Sequence, residues 1–93
     1  MQTLALKRYM SNPQWKKSLV IDIAYTVRPT LRECKNNGCV GTIDPYNTRI
    51  EITLYCINDY YYSSTVSYTR YIHNLCGDII ESMYRCLRDY RHD

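Results

Sequence analysis

The sequence contains no phenylalanine and one tryptophan, Trp15, so its aromatic content rests on eleven tyrosines. A core without Phe takes its bulk from Leu, Ile, Val, Met and Cys. Tyrosine, an apolar ring with a hydroxyl that prefers a partner, suits interfaces as well as interiors. Glycine is scarce, with three in 93 residues, too few for a Walker loop or a dinucleotide-binding glycine pattern. Long apolar runs are missing too: the longest, at residues 19–24, is broken by Asp22 and cannot span a bilayer. The first eight residues lack a basic region followed by an apolar stretch, so no signal peptide is expected. Strong charge of one sign is also lacking. Twelve Lys+Arg against nine Asp+Glu leave +3, a weak footprint for nucleic-acid binding.

What is present describes a globular chain. Hydrophobic residues make up 45% and charged residues 23%, which is too apolar for disorder. At 93 residues, one core and one domain spanning 1–93 are expected. Five cysteines is an odd number, so at least one stays unpaired. The expectation is a reducing cytoplasm that keeps all five as thiols.

Residues 3–17 read as a helical start interrupted at Ser11-Asn12-Pro13. Residues 18–27 are rich in β-branched side chains, and Leu19, Ile21, Ile23, Tyr25 and Val27 alternate. That pattern predicts a strand with Asp22 on its solvent face. Residues 28–47 hold two prolines, two glycines and the turn-forming Asn36-Asn37-Gly38 and Asp44-Pro45-Tyr46-Asn47. They read as a long connection with room for a short strand near residues 39–43. From Arg49 to Cys56 the alternation is clean, with Ile50, Ile52, Leu54 and Cys56 on one face. Asn58-Asp59 is the turn candidate, and residues 60–66 return as the partner strand. From about Ser67 the period becomes helical, with Ile72, Leu75, Cys76, Ile79, Met83, Leu87 and Tyr90 on one stripe. The expected class is α+β: a small antiparallel sheet of about three strands, an N-terminal helix, and a long C-terminal helix packed across the sheet.

Chemistry-bearing constellations are sparse. Cys34 and Cys39 have the spacing of half a zinc site, but Cys56, Cys76 and Cys86 are isolated and no second knuckle exists. A pair of loop thiols is the plainer reading, with a disulfide between them as the alternative in an oxidised preparation. His73 and Cys76 are helical neighbours without a third orienting group or an oxyanion-hole loop, so no nucleophilic site is expected. Neither enzyme activity, metal nor cofactor is expected. The basic residues Lys7, Arg8, Lys16, Lys17, Arg85, Arg88 and Arg91, with Tyr55 and Tyr60–Tyr62 available for base stacking, keep a nucleic-acid module as the alternative. The expected element order is also that of a double-stranded RNA-binding domain, although Asp and Glu interleave with the Arg residues of the last helix.

One stretch is more specific. Asn74, Leu75, Cys76, Asp78, Ile79, Ile80, Met83, Tyr84, Leu87, Arg88, Asp89 and Tyr90 fall in one ungapped register. In that register the last helix resembles that of the small early dGTPase inhibitors of short-tailed T-odd coliphages. Upstream the likeness is looser, carried by an N-terminal helix, an apolar strand and an Ile- and Arg-rich strand at residues 49–54. The chain departs from that family by extra residues around Cys34 and Cys39 and by its net positive charge. The resemblance implies a phage protein in the host cytoplasm that binds the host dGTP triphosphohydrolase and protects the dGTP pool. An inhibitor of another host protein is the remaining alternative.

If the helical stripe is buried on the sheet, the surface left for a partner is on turns and on the helix's outer face. The expected interface residues are Asp44 and Tyr46 in one loop and Asn58, Asp59, Tyr60, Tyr61 and Tyr62 at the hairpin. Arg85 and Arg88 on the final helix complete the set. Turns held on a rigid scaffold commonly carry recognition, and Tyr and Arg commonly anchor it.

Overall fold

The computed structural model describes residues 6–92; the expected helical start at residues 3–5 lies outside them. Helices α1 (Lys7–Met10), α2 (Trp15–Thr26) and α3 (Arg28–Asn36) precede three strands, β1 (Cys39–Pro45), β2 (Arg49–Cys56) and β3 (Tyr61–Ser67). The long α4 (Ile72–His92) follows. The strands form one antiparallel sheet in the order β1-β2-β3. Helix α4 crosses β2 and β3, while α3 lies against β1 and α4. This is the α+β architecture expected from the sequence.

The alternation in β2 does what the sequence implied. Ile50, Ile52, Leu54 and Cys56 are buried, and opposite them on α4 so are Leu75, Cys76, Ile79, Met83 and Leu87. Cross-strand register puts Cys39, Gly41 and Ile43 of β1 and Tyr62, Ser64 and Val66 of β3 on the same helix-facing side. Gly41 keeps that side close-fitting: a Cβ would stand 3.0 Å from the end of the Leu31 side chain of α3, which would have to give by a few tenths of an ångström. The missing side chain lets α3 sit down on the sheet.

Two expectations are corrected. Residues 18–26 are helix, not strand: α2 buries Leu19 and Ile23 and delivers the buried Val27, the cap it shares with α3, while Ile21 and Tyr25 are exposed. Positions 19, 23 and 27 belong to both an alternating strand and a four-step helix, and burial in the core settles the conflict against β propensity. Asp22 is therefore a helical residue, exposed, and accepts a hydrogen bond from the Tyr9 hydroxyl. Burial and this bond push Tyr9 up to about 12. The second correction concerns residues 28–36, expected as loop. Pro29 sits in the first turn of α3, where its missing N–H costs nothing, and Thr30 and Cys34 bury the inner side. The short strand foreseen near residues 39–43 is the full-length β1.

Candidate protein-binding surface at the hairpin end

The β2–β3 hairpin turns through Ile57, Asn58 and Asp59. The Asp59 N–H donates to the Cys56 carbonyl at 3.2 Å, and the Cys56 N–H donates to the Tyr60 carbonyl at 2.9 Å. Asp59 has φ 66°, the left-handed residue of a three-residue hairpin loop, and Asp tolerates that region better than most side chains. The turn is braced from the side. Ile57 donates its N–H to the Gly38 carbonyl at 3.1 Å, tying the α3–β1 turn to the hairpin. Gly38 itself has φ 80°, which explains a glycine at that point.

On the sheet face away from the helices, register sets Val40 beside Tyr55 and Tyr55 beside Tyr61. The Tyr55 and Tyr61 ring centroids are 6.3 Å apart. All three side chains are open to solvent, at 64%, 52% and 67% of full exposure. Ile57 at 80% and Tyr60 at 63% extend the patch around the tip. Five uncharged side chains thus sit exposed at one braced end of the sheet, with Asp59 the acidic residue of the turn. Scattered exposed hydrophobes are ordinary; neighbouring ones placed together by strand register make this end the candidate surface.

The expected interface residues divide among four places. Asn58, Asp59, Tyr60 and Tyr61 form the hairpin end. Tyr62 points to the other face, half-buried, with its ring 6.2 Å from that of Tyr90 on α4. Asp44 and Tyr46 lie at the opposite end of the strands, about 20 Å away at the usual rise per residue. There Tyr46 is held by neighbours: its carbonyl accepts the Tyr68 hydroxyl at 2.5 Å, and the Arg49 guanidinium stacks over its ring at 4.6 Å. Arg85 and Arg88 are exposed on α4, and the Arg85 guanidinium is 3.7 Å from Glu81. The two loops are not brought together. Val40 and Ile57 were missed from sequence because their neighbours are set by register, and Tyr55 carried a legible signal in its outward place in the β2 alternation.

The cysteines are all buried thiols. Cys34 does not pair with Cys39, which instead faces Cys56 with the sulfurs 2.9 Å apart. Burial pushes Cys34 up to about 11. Burial, with the Cys56 thiol beside it, pushes Cys39 up to about 12. His73 is exposed whereas Cys76 is buried, so the two share no solvent-facing site. Among the described residues no group of three or more His, Cys, Asp or Glu is placed to hold a metal ion. Among the same residues no helix is long and apolar enough to cross a membrane. Compared with family models, curated proteins and solved structures, the chain matches none.

Proposed function

We propose that this chain is a protein inhibitor that works by stoichiometric binding, with the host dGTP triphosphohydrolase as its target. The observation that carries the binding role is the exposed row Val40–Tyr55–Tyr61 on a braced hairpin. Such a surface offers aromatic anchors on a backbone already ordered by its ladder, so little backbone ordering is left to do on association. Asp59, rather than a cation, stands at the tip of this surface, which favours a protein partner over a nucleic acid.

The choice of target rests on the register of residues 74–90. Leu75, Cys76, Ile79, Met83 and Leu87 are buried and any amphipathic helix would make them apolar. The discriminating part of the likeness is Asn74, Asp78, Arg88 and Asp89, which are exposed and unexplained by packing. Tyr84 has a structural use, donating its hydroxyl to the Glu33 carboxylate of α3 at 2.7 Å. The positive net charge sets the chain apart from the acidic inhibitors it resembles, so uncharged aromatic contacts take the larger share of the interface here.

Titrating purified host dGTP triphosphohydrolase with the protein, while following dGTP hydrolysis, tests the proposal. Turnover falls to a floor at a fixed molar ratio if it holds. Full activity at large molar excess rejects it, and recovery of a different host protein on the immobilised chain then redirects the target.

A further inference from the structure

We infer that the open edge of β3 and the flank of α4 beside it form a self-complementary surface, which pairs with a second copy of this chain about a two-fold axis at Ser64. Among the described residues β3 is an edge strand. Nothing in it blunts that edge: residues 61–67 hold no proline and no charge, and their register with β2 runs without a bulge. The other edge, β1, is protected by contrast. It ends in Asp44 and Pro45 and has α2 and α3 against it.

The backbone of β3 is arranged for such pairing. The hairpin closes with the Cys56 N–H donating to the Tyr60 carbonyl, and antiparallel bonding alternates from there. Tyr62, Ser64 and Val66 therefore bond to β2, while Tyr61, Ser63, Thr65 and Ser67 direct their N–H and C=O groups to the open side. A two-fold at Ser64 sets Ser63 against Thr65 of the second copy and Tyr61 against Ser67. Outward groups meet outward groups, hydroxyl lies beside hydroxyl on the open face, and Tyr62 lies beside Val66 on the helix face.

A second element, independent of the strand, has the same symmetry. The Ser64 hydroxyl lies 3.3 Å from that of Ser82, so the axis that bisects β3 also passes beside the middle of α4. Charge along this flank is ordered about that point. Asp78 and Glu81 come before Ser82 and Arg85 after it, and all line a groove of about 310 Å³ between α4 and β3. Antiparallel apposition sets the acidic half against Arg85 of the second copy, and Asp89 falls opposite the neutral Asn74–Leu75 turn. Because α4 lies over both β2 and β3, two such helices would run side by side roughly 10 Å apart, an ordinary packing distance. The product is a six-stranded sheet with both Tyr61 rings on one open face, about 20 Å apart. A second copy fits better than an unrelated strand because strand and helix are palindromic about the same point.

Sedimentation equilibrium of the full chain over a concentration series tests this. The expected species is a dimer of the 11.1 kDa chain. Thr65→Pro removes one outward N–H and leaves the β2 ladder intact, so it should weaken self-association by about tenfold or more. Should that variant fold poorly, charge reversal on the exposed helix flank gives an independent reading. Asp78→Arg alone and Arg85→Asp alone should each weaken the dimer, and the double variant should restore it. A monomer at the highest soluble concentration overturns the inference. So does a dimer indifferent to the charge reversals, or one the double variant fails to restore.

Discussion

Cys39 and Cys56 face each other across β1 and β2 inside the core, with their sulfurs 2.9 Å apart. The flanking pair is hydrogen-bonded, Ile57 N–H to the Gly38 carbonyl, so Cys39 and Cys56 occupy a non-hydrogen-bonded site. Their Cα atoms are expected about 4.5 Å apart there, within disulfide range.

Oxidation with a small disulfide reagent should therefore link Cys39 to Cys56 and leave Cys34 unlinked to Cys39. The reaction should be slow in the native protein, because the thiolate is the reactive form and burial holds Cys39 near 12. Peptide mapping by mass spectrometry reads the pairing, and thiol titration with and without urea reads the rate. Fast native labelling, or a 34–39 linkage, would show that these thiols are not packed as described.

Stability should fall on the alkaline side. Cys34 is raised from 9.0 to about 11, Cys39 from 9.0 to about 12, and Tyr9 from 10.0 to about 12. In each case the folded state prefers the neutral, protonated form. Above about pH 9 the unfolded chain gives up these protons first, so it binds fewer than the native chain and the stability slope with pH is negative. The contribution is full below the unfolded values and lost as pH climbs towards 11–12. Urea midpoints at pH 7.5, 9 and 10 should decline in that order. Cys39→Ser, refolded to a similar midpoint at neutral pH, should show a shallower decline.

How much of this was legible in the sequence depended on whether a pattern fits one period alone. β2 and α4 were readable because Ile50–Ile52–Leu54 admits only alternation, and Leu75–Ile79–Met83 with Cys76 and Leu87 admits only a helix. Helix α2 was not, since Leu19, Ile23 and Val27 serve either period and the intervening Ile21 and Tyr25 are exposed apolar residues. Helix α3 hid behind Pro29, a breaker inside a helix but an initiator in its first turn. The candidate surface was half visible. The tyrosines of the turn could be named, but the row Val40–Tyr55–Tyr61 exists only through two strand registers that no local pattern encodes.

Burial separates positions that hold the fold from positions free to bind. Ile79 is fully buried under the sheet, so Ile79→Ala should cost about 2–5 kcal/mol, the range for large-to-small changes that leave a cavity. Asp59→Gly should go the other way or be neutral, because glycine takes φ 66° without the side-chain penalty. Chemical denaturation of the two variants checks both signs. Destabilisation by Asp59→Gly would mean that the carboxylate, rather than the backbone angle, holds the turn.

The remaining prediction concerns the candidate surface and needs variants that leave the turn alone. Asp59→Ala is a poor probe, since it forces a β-carbon residue without Asp's local hydrogen bonding into the left-handed region. Tyr55 and Tyr61 are better, because both rings stand mostly in solvent and their truncation removes only one exposed ring pair. The Tyr55→Ala, Tyr61→Ala double variant should keep its unfolding free energy, read from urea denaturation, to within about 1 kcal/mol, the size of a cross-strand pair. Its affinity for the proposed target, the host dGTP triphosphohydrolase, should drop by about 2 kcal/mol or more, close to thirtyfold in dissociation constant. Asp44→Ala with Tyr46→Ala, some 20 Å away along the strands, serves as the matched control and should bind as the parent does. Unchanged binding by the hairpin variant, with loss in the control, would move the interface to the Asp44–Tyr46 end. Loss in neither would place it on the exposed face of α4 around Arg88.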